Sequence, residues 1–208
     1  IITYHQNNVY IGSCTFSDNF PVKGTSLQTS RGGKIDGIVF KLDYNLSNLI
    51  WSTYLGGSDD DAIYSVDVDK NYDLAVAGGT MSNSTDITQL FPSTQDVWQS
   101  EPPGGNVDAF LAKISGDGRN LMASTFFGSD AYDQAYFVRS DKYNNLYIFG
   151  QTEAPDSTLI FNAPYSVPNS GQFLAKFEPD LKNLIWSTVF GTGNGKANIS
   201  PTAFSVDI

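Results

Sequence analysis

Asp67, Asp69, Asn71 and Asp73 alternate along one short stretch. At this D-x-D-x-N-x-D spacing, oxygen side chains can wrap a hard cation such as Ca2+. The glycine usual at the sixth position of such a loop is replaced by Tyr72, and no glutamate stands at the twelfth. Asp and Asn are also the residues a tight turn favours. A plain turn is therefore the simpler expectation, with these four residues kept as the candidate metal ligands. No other cofactor is expected.

A second acidic group comprises Asp59-Asp60-Asp61 together with Asp130 and Asp133. Two carboxylates about 5–9.5 Å apart in one cleft would be the equipment of a glycosidase. Asp60, Asp61, Asp130 and Asp133 are the residues such an enzyme would use. Runs of like charge are more often solvated loop residues. The only histidine, His5, and the only cysteine, Cys14, lack the companions that a triad or zinc site requires. Cys14 is expected as a small buried strand residue. Catalysis is not expected.

Phe91, Trp98, Gln99 and Glu101 fall in a long segment that runs into Pro102-Pro103-Gly104-Gly105. An aromatic side chain on a stiff surface loop can anchor a protein or glycan partner. These four are the candidate partner-binding residues, with Trp98 folded onto its own loop as the alternative. Asn45-Leu46-Ser47, Asn83-Ser84-Thr85 and Asn198-Ile199-Ser200 fit the N-glycosylation pattern. Asp156-Ser157-Thr158 resembles the O-glycosylation motif of exported Bacteroidetes proteins.

The elements that position these residues come from a repeat. Lys41, Lys113 and Lys176 each close an apolar run: Ile38-Val39-Phe40, Phe110-Leu111-Ala112 and Phe173-Leu174-Ala175. Ten residues on come Trp51-Ser52-Thr53, Ala123-Ser124-Thr125 and Trp186-Ser187-Thr188. Two further blocks recur, as in Tyr64-Ser65-Val66-Asp67 and Leu74-Ala75-Val76-Ala77-Gly78-Gly79-Thr80. Each block is a β-branched and aromatic run bounded by Gly, Asn or Asp, and reads as a strand. Four antiparallel strands per repeat are the pattern of a propeller blade.

The expected fold is therefore all-β: a β-propeller of four-stranded antiparallel blades, with about three blades of a larger ring visible. The blades are expected at 1–63, 64–135 and 136–203, and 204–208 is expected to start another. The first–second and third–fourth strand links are short hairpins. The second–third link (Met81 to Val107 in the middle repeat) is long and shares one end of the blade with the Ser129–Ala135 link. The recurring lysines are expected to pair with Asp67 or Asp207. Trp51, Thr53, Lys113 and Gly128 are expected to serve the blade itself.

The net charge of −10 excludes the clustered basic surface that nucleic acid requires. It equally disfavours an anionic membrane surface. No apolar run reaches the ~20 residues of a spanning helix, so membrane insertion is not expected.

The blocks Asp108-Ala109-Phe110 … Ala112-Lys113, Ser52-Thr53-Tyr54-Leu55-Gly56-Gly57, Asn145-Leu146-Tyr147 and Phe91-Pro92 together resemble the SBBP family of β-propeller repeats. In the third repeat Phe161-Asn162-Ala163-Pro164 stands in place of Phe-Pro, and Gly171-Gln172 in place of Asp-Ala. The resemblance implies an exported bacterial protein, secreted or on the cell surface. It also implies passage through a type IX secretion machinery, a setting of adhesion or gliding, and no catalytic motif. The expected function is a non-catalytic module that binds protein or glycan at its long-loop face, or acts as a scaffold.

Overall fold

The computed structural model describes residues 2–5, 7–83, 88–197 and 200–207. The β-branched and aromatic runs form twelve strands and no helix among these residues. They are β1 (Ile2–His5), β2 (Asn8–Thr15), β3 (Asp36–Asp43), β4 (Leu49–Leu55), β5 (Asp61–Val68), β6 (Leu74–Thr80), β7 (Asp108–Ile114), β8 (Leu121–Phe127), β9 (Asp133–Ser140), β10 (Leu146–Thr152), β11 (Gln172–Phe177) and β12 (Leu184–Phe190). Each consecutive group of four makes one antiparallel sheet in chain order, and the three sheets are open. Every third–fourth strand pair carries a register shift directly after the recurring lysine: Lys41, Lys113 and Lys176.

The first strand of a repeat starts earlier than the blocks suggest. β5 and β9 begin at Asp61 and Asp133, three residues before Tyr64 and Tyr136. An acidic pair reads as loop, but both carboxylates are buried and bonded into the preceding turn, so the backbone can continue the ladder. Phe204–Asp207, expected to open a further strand, forms no ladder.

Successive sheets pack face to face. β5 lies against β1, β2 and β3, and β9 lies against β5, β6 and β7. Tyr10, Val39, Trp51 and Leu55 of the first sheet share a core with Val66, Val76, Phe110 and Ala112 of the second. The opposite face of the second sheet, with Ala75, Ala77, Leu111 and Phe127, meets Val138, Ile148, Phe173 and Phe177 of the third. The middle sheet is therefore covered on both sides, and every residue of β6 and β7 is buried.

Side-chain size is matched across each junction. Trp51 of β4 reaches the β7–β8 hairpin and donates from Nε1 to the Gly116 carbonyl at 3.2 Å. A Cβ on Gly118 would stand 2.5 Å from the Trp51 ring, so only glycine fits there. At the second junction Ala123 replaces the tryptophan, and the fully buried Leu181 replaces the glycine. Leu46, Gly118 and Leu181 share the left-handed conformation (φ 57°, 76° and 60°), so the choice among them is made by the neighbour. Gly118→Leu should cost about 1–3 kcal/mol in urea unfolding through overpacking against Trp51. Combining it with Trp51→Ala, which copies the second junction, should recover much of that loss.

Candidate functional site

The Asp67–Asp73 stretch is the β5–β6 hairpin, and its cation is a lysine. The Lys113 ammonium lies 2.7 Å from Asp69 Oδ2 and 3.5 Å from Asp73 Oδ2. The two closest side chains are only 8% and 1% exposed. Asp69 Oδ1 accepts from the Asn71 and Asp73 amides at 2.8 and 3.0 Å. Asp67 is turned away to the third sheet, where Oδ2 accepts from the Ser140 amide and hydroxyl. The four oxygen residues therefore do not converge, and the calcium reading is corrected to a turn locked by an ion pair. Tyr72, at the glycine position, takes φ 68°. Among the described residues no group of three or more His, Cys, Asp or Glu side chains is placed to hold a metal.

The lysine's partner is Asp69, not the expected Asp67. Ala75 stands between Asp67 and Lys113 in the cross-strand row, and the lysine stem runs along the strand to the hairpin instead. The third sheet repeats the device, with Lys176 3.3 Å from Asp141 and 4.8 Å above the Tyr147 ring. Burial pushes the Asp141 carboxyl up. The Asn145 side chain, the Tyr143 and Asn145 amides and Lys176 outweigh it and hold the group at about 2. In the first sheet His5 stands where the other hairpins carry aspartate, and Lys41 rests 4.9 Å above the Tyr10 ring. His5 packs on the Tyr72 ring at 5.2 Å between centroids.

The long β6–β7 connection is stitched to its own sheet. Thr94 bonds the Ser124 backbone, and the Gln99 amide and carbonyl bond Thr125 Oγ1 and the Phe126 amide. Lys23 and Gln28 repeat this on Ser52 and Thr53. That explains why Ser-Thr recurs in strand four. Phe91 is 1% exposed and stacks on Phe110 at 4.1 Å between ring centroids. It belongs to the core and offers nothing to a partner, which corrects that expectation. The Phe-Pro of the repeat is thus an anchor that holds the loop down.

Trp98 does not fold onto its own loop. Its amide donates to the Leu181 carbonyl at 2.8 Å, and its ring lies 5.5 Å from that of Phe161 in the β10–β11 connection. Both rings remain partly open, at 41% and 38%. Trp98, Gln99, Phe161, Thr158, Ile160 and Gly128 line a groove of about 360 Å³ between the two loops. Glu101, on the same connection, is exposed and does not line the groove. Phe161 was missed in the sequence because its repeat departs from the Phe-Pro pattern there. An equivalent groove of about 650 Å³ lies between the first and second loops, with Gln28, Arg31, Gly57 and Pro92, and it has no aromatic pair.

Two of the four acidic candidates for hydrolysis, Asp61 and Asp133, are withdrawn from solvent. Asp61 Oδ2 accepts from the Gly57 amide at 2.7 Å and the Ser82 hydroxyl at 3.0 Å. Asp133 Oδ2 accepts from the Ser129 amide and hydroxyl. Asp60 caps the Ile35 amide, and Asp130 is exposed. Asp36 and Asp108, which open β3 and β7, are buried beside Asp61 and Asp133 respectively. Burial pushes Asp61 and Asp108 up to about 7, and the neighbouring carboxylate adds to the rise. These acids serve the turns between sheets.

Cys14, expected to be buried, is exposed. It lies on β2 beyond Ile11, the last residue that pairs with the described part of β1. Asn45-Leu46-Ser47 is an exposed hairpin and Asp156-Ser157-Thr158 an exposed turn. Asn83 is exposed, while Ser84, Thr85, Asn198 and Ile199 lie outside the described residues. No helix among the described residues is long and apolar enough to cross a membrane.

No family model matches the chain, and no curated protein matches it.

Three outcomes follow. Lys113→Ala leaves Asp69 buried without its cation and should cost about 3–5 kcal/mol in urea unfolding. Adding Ca2+ or a chelator to the native protein should leave the melting temperature in place. Asp61 and Asp108 have folded values raised above the unfolded 3.8, so the folded state holds more protons between about pH 4 and 7. Their contribution is fully present below pH 4 and is lost as pH rises through 7. Asp61→Asn with Asp108→Asn should therefore flatten that decline in thermal melts across pH 4–8.

Proposed function

We propose that the three sheets are consecutive blades of a β-propeller and that the chain is a non-catalytic module that binds protein or glycan. The radial reading is supported by the way each first strand lies against three strands of the preceding sheet. It is also supported by a middle sheet that is apolar on both faces. The secreted or cell-surface setting, the type IX route and the link to gliding or adhesion rest on the resemblance of the repeat blocks alone.

The observation that carries the binding role is the groove between the second and third long loops. A partly exposed Trp98 faces a partly exposed Phe161 across it, and both loops are pinned to their sheets by backbone hydrogen bonds. Rigid aromatic rings beside amide and hydroxyl groups can stack on a sugar ring or clasp a peptide side chain without ordering a loop. The repeat supports this choice. Residues common to all units build the sheet, whereas the Trp98–Phe161 pair exists at one junction only.

The test is a screen of the chain against immobilised glycans and peptides, followed by substitution. Trp98→Ala and Phe161→Ala should each weaken a positive interaction tenfold or more. Tyr143→Ala, an exposed aromatic on the opposite hairpin end, should leave it unchanged. Binding that survives both groove substitutions would remove the groove from the account.

A further inference from the structure

The groove between the second and third long loops is walled without charge. Among the described residues no acidic or basic side chain lines it, in a chain of 12 basic and 22 acidic residues. Other clefts at the junctions do hold charge: Arg31 in the equivalent groove, Lys41 with Arg119, and Lys113 with Lys182. The groove is apolar where Phe127 and Leu159 line it, and both are buried. The Trp98 and Phe161 rings are inclined at 54° to each other, and each keeps part of its surface in water.

Polar groups at the same place have capacity to spare. Gln99 is held by its backbone, whose amide and carbonyl bond Thr125 Oγ1 and the Phe126 amide. Its side-chain amide, a donor at one end and an acceptor at the other, makes no hydrogen bond among the described residues. The Trp98 indole N–H makes none there either. Both side chains reach solvent, so water serves them and a ligand hydroxyl can take its place. The Thr158 hydroxyl donates to the Pro155 carbonyl at 2.8 Å and can still accept.

Two kinds of partner fit this lining poorly. A carboxylate, sulfate or ammonium group would lose water here and meet no counter-charge. An extended peptide gains most by adding a strand to an open sheet edge. The flanking edges are taken: Gln99 bonds β8 at Phe126, and Phe161 and Ser187 of β12 exchange both backbone bonds. A saccharide ring needs neither charge nor edge. It offers an apolar C–H face to an aromatic ring, and hydroxyls that both donate and accept. The volume of about 360 Å³ falls at the low end of the ~300–1,000 Å³ of small-ligand sites, which suits the end of a saccharide chain. Taking the groove as the binding site proposed above, we infer that its ligand is an uncharged saccharide, stacked on Trp98 or Phe161 and hydrogen-bonded through the Gln99 amide.

Calorimetric titration of the chain separates the classes. The probes are maltohexaose, mannohexaose and chitohexaose, then oligogalacturonate and a sulfated saccharide, then basic, acidic and apolar extended peptides. At least one neutral saccharide should bind, and the charged ones at least about tenfold more weakly. Raising the salt from about 0.05 to about 0.5 M should change that dissociation constant less than about twofold, because no ionic attraction is there to be screened. Gln99→Ala removes the side-chain amide and leaves the backbone stitches. It should weaken binding about three- to tenfold and leave the melting temperature in place. Preferred binding of a charged saccharide or a peptide, lost on Trp98→Ala, would overturn the ligand class and leave the groove standing as the site. A neutral saccharide bound equally well by the Trp98→Ala and Phe161→Ala chains would overturn the groove, and the ligand assignment with it. No binding of any probe would overturn both.

Discussion

A sheet with two apolar faces cannot stand alone in water, and this constraint organises the molecule. β6 and β7 are buried along their whole length, so the second sheet exists only because a sheet covers it on either side. The junctions are therefore the core, and there is no separate interior. Each is specified by interlocking side chains and by a hydrogen bond across it: the Trp51 indole on the Gly116 carbonyl at the first, and the Ser140 amide on Asp67 at the second.

Charge is arranged around this apolar stack at both ends of the sheets. At the short-hairpin end a lysine stem lies along the sheet, and its ammonium closes the turn through Asp69 or Asp141. At the long-loop end, buried aspartates tie the connection between sheets to glycine and serine amides. At Asp141 the first arrangement favours the ionised carboxylate, and at Asp61 and Asp108 burial disfavours it. The two ends of the third sheet thus respond to pH in opposite directions, because the Asn145 side chain, nearby amides and Lys176 hold Asp141 low while burial raises Asp133.

Strand identity, the hairpins and the long loops were legible in the sequence because the repeat shows the same block three times. The candidate site was legible only in part. Phe91 and Trp98 both read as surface aromatics, yet one is core and the other bridges two units. Sequence distance cannot distinguish these, since Phe91 meets Phe110 and Trp98 meets Phe161 through register and loop path. The D-x-D-x-N-x-D spacing misled for a related reason. Spacing along the chain omits Lys113, which arrives from two strands away and supplies the positive charge. Cys14 read as buried because its strand is apolar, yet it is exposed.

The most direct measurement is native-state hydrogen exchange of the slowest amides in β6–β7 and in β10–β11. If the junctions are the core, neither sheet can open alone, and both sets should report the same opening free energy within about 1 kcal/mol. Two well-separated values, with one sheet exchanging while its neighbour stays protected, would contradict the account.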